Sequence, residues 1–141
     1  MWGSGSFSGT GVFIYNTYDA THAYGAITIA GSSNATLSAP LTGTYAGILM
    51  FQDRSAPTGY YNSINGNSNT TMDGAVYFKT QAVTIGGTSS GHYTDIVADS
   101  FSINGNTTFG VYDSASNTYK NDYSQLANGN PLHGGGYVFG Q

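Results

Sequence analysis

Two short patterns alternate along this chain, and their recurrence restricts the fold more than any other feature of the sequence. The first starts at Ile, passes through Gly and a polar turn, and ends in a second β-former. Ile29-Ala30-Gly31-Ser32-Ser33-Asn34-Ala35-Thr36-Leu37 aligns with Ile64-Asn65-Gly66-Asn67-Ser68-Asn69-Thr70-Thr71-Met72 at Ile, Gly, Ser, Asn and Thr. Ile103-Asn104-Gly105-Asn106-Thr107-Thr108-Phe109 is a shortened copy, and Ile85-Gly86-Gly87 opens a degenerate one. The second pattern is an apolar, strand-like block that precedes each turn unit: Val12-Phe13-Ile14-Tyr15-Asn16, Ile48-Leu49-Met50-Phe51-Gln52, Ala75-Val76-Tyr77-Phe78-Lys79 and Asp95-Ile96-Val97-Ala98-Asp99.

With Ile14, Met50, Tyr77 and Val97 taken as equivalent, the interval shortens toward the C-terminus. Coils of roughly 20 residues, each with two or three short strands between Gly, Asn and Ser turns, are the unit of a parallel β-solenoid. The expected fold is therefore all-β, a right-handed parallel β-helix of about four coils in a single domain over 1–141. Thr17 to Gly25, Pro40 to Ala46 and Asp53 to Tyr61 are read as loop insertions in the longer early coils, and 113–141 as an irregular segment packing on the solenoid. Asn65-Gly66 and Asn104-Gly105 also suit two-residue hairpin turns, which keeps an antiparallel β-sandwich as the alternative. The strand blocks are apolar on both faces. Phe13/Leu49/Val76/Ile96 and Tyr15/Phe51/Phe78/Ala98 are placed inside, leaving Ile14/Met50/Tyr77/Val97 on the opposite face for the C-terminal segment or a partner to cover.

Composition agrees with stacked strands. Only 7% of the residues are charged, against about a quarter in an ordinary soluble protein. Equivalent positions on stacked coils lie about 4.8 Å apart, where like charges repel, so Asn, Thr, Ser and Gly take the turns instead. Three Lys+Arg against seven acidic residues, all Asp, give a net charge of −4. That balance cannot supply the basic stripe of a nucleic-acid binder. The absence of Cys removes disulfides, thiolate metal sites and Cys nucleophiles together. The apolar run Ala46 to Phe51 is far short of the roughly 20 residues that span a bilayer. The start Met1-Trp2-Gly3-Ser4-Gly5 lacks the pattern of a signal peptide; together with Gly5 to Val12, which reads as a turn unit without its preceding strand, it leads us to expect a fragment or stand-alone derivative.

Gly11-Val12-Phe13-Ile14-Tyr15-Asn16-Thr17, Leu37-Ser38-Ala39-Pro40, Tyr45 through Arg54, Asp73-Gly74-Ala75-Val76-Tyr77-Phe78 and Ile96-Val97-Ala98-Asp99 together resemble the C-terminal region of bacterial TadG-like proteins, envelope proteins associated with tight-adherence (Flp-type) pilus assembly. The resemblance runs from about Gly9 to Leu132, with Ala46-Gly47-Ile48-Leu49-Met50-Phe51-Gln52-Asp53-Arg54 its most specific stretch. It implies an exported β-solenoid module of the cell envelope, without catalytic residues or cofactor.

The chemistry legible in single motifs is sparse. Gly87-Thr88-Ser89-Ser90-Gly91 has the form of a nucleophile elbow, with His92, Asp95, Asp99, Asp113 and His133 downstream, but that elbow requires a following helix and none is expected. Asn16, Gln52, Lys79 and Asp99 are aligned as one polar ladder, in which Lys79 and Asp99 stand about 5 Å apart as a surface pair. His22, His92 and His133 have no ligand spacing, so no metal site is assigned. Asn34-Ala35-Thr36, Asn69-Thr70-Thr71 and Asn106-Thr107-Thr108 have the form of glycosylation sequons, which the repeated turn already explains. Tyrosines in the inserted loops are the strongest functional signal, because strand propensity does not account for them and their rings suit stacking on sugars. Tyr18, Tyr24, Tyr45, Tyr60 and Tyr61 are the candidate binding residues, with Asp53, Arg54, Lys79 and Asp99 beside them. The expectation is a non-catalytic structural or adhesive module that contacts a glycan or envelope component. The alternatives are a self-assembling homo-oligomer joined through its strand edges, and a carbohydrate-active or ester-hydrolysing enzyme.

Overall fold

The repeated blocks form strands that pair with one another in parallel. The computed structural model describes residues 5–67, 70–87 and 95–106 in full, and the backbone of four further short strands. The strands are β1 (Ser6–Thr10), β2 (Ile14–Asn16), β3 (Thr28–Ile29), β4 (Asn34–Ser38), β5 (Ile48–Gln52), β6 (Tyr61–Gly66), β7 (Thr71–Asp73), β8 (Ala75–Gly87), β9 (Ser90–Gly91), β10 (Ile96–Gly105), β11 (Thr108–Phe109), β12 (Val111–Asp113) and β13 (Thr118–Lys120). There is no helix among the described residues, so none long and apolar enough to cross a membrane.

The chain visits the same sheets in turn. One sheet has the order β1-β4-β7, and a second has the order β2-β5-β8-β6-β3 with β10 on β8. The 13-residue β8 belongs to two ladders: its first part pairs with β5 and its second with β6. All these pairings are parallel; β12 with β13 is antiparallel. An antiparallel sandwich built from hairpins at Asn65-Gly66 and Asn104-Gly105 is not what these strands make. Both Asn-Gly pairs lie on one parallel ladder, with Asn65 and Asn104 opposite Gly86 and Gly66 and Gly105 opposite Gly87.

The turn-unit alignment holds residue by residue. Ile29 pairs with Ile64, Ile64 with Ile85, and Ile85 with Ile103. Thr36 pairs with Thr71 and Leu37 with Met72. Strand β4 alternates as period 2 requires: Ala35 and Leu37 are buried, and Thr36 is exposed. Residues 17–27, 39–47 and 53–60 contain no strand, in agreement with the expected insertions, except that Tyr61 opens β6 instead of closing a loop.

The last two apolar blocks turn Val76, Phe78, Ile96 and Ala98 inward as expected, but the first two depart from expectation by turning Ile14 and Met50 inward. Ile14 pairs with Met50, but Met50 pairs with Val76, and the register shifts between Ile48 and Met50. Tyr77 therefore stands opposite Phe51, and Val97 opposite Tyr77. The inner rungs are Ile14/Met50/Val76/Ile96 and Phe78/Ala98. Met50, Val76 and Phe78 have no exposed surface, and they join Leu37, Leu49, Ile64, Met72, Val83 and Ile85 in one core. Tyr15 and Phe51, expected inside, form the outer rung together with Tyr77, which is expected there. The physical reason is that alternate residues point to opposite faces, so a one-residue bulge exchanges the two faces for every strand beyond it.

A polar cluster closes the corner beside this core. Gln81 is fully buried, and its carbonyl oxygen accepts hydrogen bonds from the Tyr24 hydroxyl and the Asn62 side-chain amide, both at 2.9 Å. Its own amide donates to the Pro57 carbonyl at 2.9 Å. Asn16 donates to the Tyr24 hydroxyl at 2.7 Å, and Asn62 accepts from the Ile27 amide at 2.9 Å. Two inserted loops are thereby tied to the strand corner through buried groups whose hydrogen bonds are met inside the protein.

Candidate functional site

The outer face of β2, β5 and β8 carries a continuous aromatic strip. Register places Tyr15, Phe51 and Tyr77 side by side on neighbouring strands. Phe51 and Tyr77 stack with centroids 4.6 Å apart and planes inclined by 7°. Tyr15 lies 6.0 Å from Phe51, tilted by 36°. Phe13, two residues before Tyr15, is on the same face at 6.3 Å, and Tyr45 from the 39–47 loop stacks on Phe13 at 4.2 Å. Stacked pairs of this kind contribute about 0.5–1.5 kcal/mol each beyond the area they bury. Tyr15 and Tyr45 nevertheless remain about half exposed, at 50% and 52%. Phe13, Tyr15, Tyr45 and Phe51 line a cleft of about 200 Å³.

Arg54, the sole Arg of the sequence, follows β5 and reaches over the strip. Its guanidinium carbon is 5.9 Å from the Phe51 centroid and 5.6 Å from that of Tyr77, a cation–π arrangement. Among the described residues Arg54 has no ion pair; Asp19 with His22 forms the pair at 2.9 Å. Asp53 makes hydrogen bonds of its own. The Ser55 amide and hydroxyl donate to it at 2.9 and 2.7 Å, and the Thr17 hydroxyl at 2.7 Å, which holds the carboxyl well below the usual carboxylate range. The Asp53 carboxylate in turn pushes the Tyr15 phenol up, because ionising it would forfeit a hydrogen bond and set two negative charges together.

The tyrosines named from sequence separate into different roles. Tyr45 joins the strip. Tyr24 is buried, and burial raises its phenol; it belongs to the Gln81 cluster and offers no surface for a ligand. Tyr60 packs edge-on against Tyr24 at 4.9 Å, and Tyr18 does so at 6.3 Å while donating its hydroxyl to the Ser55 carbonyl at 2.9 Å. Tyr61 is 77% exposed at the start of β6. The ladder Asn16/Gln52/Lys79/Asp99 survives as Asn16 opposite Gln52, then breaks. Phe78 faces Ala98 and Ala82 faces Ser100, so three residues turn the corner on β8 where Asp99 alone does so on β10. No ion pair joins Lys79 to Asp99 among the described residues. Gln52 instead donates to the Thr80 hydroxyl at 2.5 Å.

Phe13, Tyr15, Phe51 and Tyr77 were not among the candidates. Their signal in the sequence is the recurrence of aromatic residues in the apolar blocks; Phe13, Tyr15 and Phe51 are expected on the inner face and lie on the outer one, whereas Tyr77 lies on the outer face as expected. Of the elbow-like motif, Thr88, Ser89, His92 and His133 lie outside the described residues, as does most of 113–141. No cluster of His and Asp suited to a metal ion occurs among the described residues. Compared with known proteins, the chain matches no family model, no curated protein and no solved structure.

Proposed function

We propose that this chain is a right-handed parallel β-solenoid acting as a non-catalytic structural and adhesive module of the bacterial cell envelope, pilus-associated as its sequence resemblance implies, with the aromatic strip as its adhesive surface. The solenoid reading is supported by the strand order, in which β1, β4 and β7 share one sheet and the strands between them return to another in shifted register. One observation carries the adhesive reading: five aromatic rings, three from neighbouring strands, one from an inserted loop and Phe13 just before β2, line up on an outer face, with Tyr15 and Tyr45 half exposed. Exposed aromatic patches of this kind mark interaction sites, and Tyr supplies both an apolar face and a wet hydroxyl, as a sugar surface requires. The test is retention on immobilised envelope polysaccharides and a glycan array, comparing the wild type with Tyr45→Ala. Binding that disappears in the variant supports the reading; equal binding by both removes the strip from it.

A second reading, self-assembly, rests on the strands at the sheet ends. β1 ends the first sheet, and β2 and β3 end the second. Such edges are templates for strand addition by another copy. Sizing and electron microscopy across a dilution series distinguish a monomer from filaments. A monomer that binds no glycan leaves only the scaffold role.

A further inference from the structure

We infer that the cleft between Phe13, Tyr15, Tyr45 and Phe51, with Arg54 over the Phe51 ring that bounds it, takes an acidic sugar, a hexuronate unit of a polysaccharide, whose ring lies on the aromatic residues and whose carboxylate meets the guanidinium. The inference rests on the adhesive reading and narrows it to a ligand class. A cleft of about 200 Å³ is below the roughly 300 Å³ at which pockets for whole drug-sized ligands begin, which suits a single ring of a longer chain. Its lining is aromatic and supplies stacking, with the Tyr45 hydroxyl as a polar group and the Tyr15 hydroxyl engaged by Asp53.

Charge selects among sugars. In a chain of net charge −4, the sole Arg is set over this strip and is not spent on an internal ion pair. A guanidinium over aromatic rings still presents N–H donors at its rim, and their fork matches a carboxylate in two parallel hydrogen bonds. The neighbouring Asp53 forms no ion pair with it; its carboxylate is held by Thr17, Ser55 and Tyr15. The site therefore joins an apolar ring platform to one unpaired cation, the two halves of a hexuronate.

The test uses the full chain and two probes, an oligogalacturonate and the same oligomer with its carboxyls methyl-esterified, titrated calorimetrically at low and high salt. The acid is expected to bind at least about tenfold more tightly than the ester, in line with a charge-assisted hydrogen-bonded pair. That preference should shrink with salt. Arg54→Gln should reduce acid binding to the level of the ester, and Tyr45→Ala, on an exposed loop, should weaken both probes. Far-UV circular dichroism confirms that each variant is folded. Equal affinity for acid and ester, or a preference that survives Arg54→Gln, overturns the inference. If ester binding is then still lost in Tyr45→Ala, the adhesive strip stands without the acidic ligand. If neither probe binds, the acidic-sugar inference falls, and the adhesive reading falls with it only when the glycan array is also blank.

Discussion

Replacing Gly87 with Ala tests the stacking of the turn units directly, and Gly43→Ala supplies its internal control. Both residues have nearly the same positive φ, 93° and 90°, so both substitutions carry the same kind of backbone penalty, about 1–2 kcal/mol for an L side chain. They differ in what surrounds the added methyl. At Gly43 there is nothing within 4 Å, whereas at Gly87 the new carbon would overlap the carbonyl oxygen of Gly66 on the neighbouring strand. Relieving that overlap requires β6 and β8 to part at the Gly66–Gly87 rung. The cost is about two ladder hydrogen bonds at roughly 1 kcal/mol each. Gly87→Ala is therefore expected to destabilise by about 3–4 kcal/mol and Gly43→Ala by about 1–2. A domain stable by 5–15 kcal/mol overall would lose a large fraction of its margin in the first case. The measurement is urea unfolding followed by far-UV circular dichroism, with m-values compared to verify that the same surface is exposed. Losses equal within about 0.5 kcal/mol would refute the reasoning, since they would mean that Gly66 does not face Gly87.

Phe78→Ala should cost about 3–5 kcal/mol because it empties a fully buried site, while Phe51→Ala on the outer strip should cost on the order of 1 kcal/mol from lost stacking; equal losses in the same unfolding assay would restore the placement of both rings on one inner face. Gln81→Leu should destabilise by about 3 kcal/mol, since Tyr24, Asn62 and Pro57 each lose a partner, and crystal structures or amide exchange should place the loosening in residues 17–27 and 53–60; a neutral effect would show that the cluster does not hold these loops. Asp19 is held at about 2, first by the Thr21 hydroxyl and amide and then by His22, against an ordinary value of 3.8. Its folded pKa is lowered, so its contribution to stability is present above about pH 3.8 and is lost as pH falls through 2. Asp19→Asn should flatten the pH dependence of stability in that window, and an unchanged acid limb in pH-jump unfolding would contradict this.

The repeat was legible in the sequence because its rungs are chemically marked. Ile29, Ile64, Ile85 and Ile103 each precede a Gly or Asn turn, and Thr36 and Thr71 repeat within otherwise similar segments, so the alignment could be read from residue identity and the structure pairs those same positions. The inserted loops were legible for the same reason, as Pro-containing and polar stretches between marked units. The apolar blocks carried no such mark. Ile48-Leu49-Met50-Phe51 is apolar at every position, so either face suits the core, and hydrophobic alternation is silent about which one is used. The choice fell to a bulge between Ile48 and Met50 and to the longer corner of β8, features of strand pairing that neither residue type nor spacing announces. Tyr24 illustrates the same limit: its position in a loop suggested exposure, but it is buried where it meets Gln81, 57 residues further along the chain. Sequence alone determined which residues stack on which along the turn ladder, through local identity and period. Tertiary structure alone decided which face of the first two apolar blocks turns outward, because a one-residue slip inverts the faces at no change in composition, and that decision placed Tyr15 and Phe51 on the outer face beside Tyr77, where Arg54 lies over the rings of Phe51 and Tyr77.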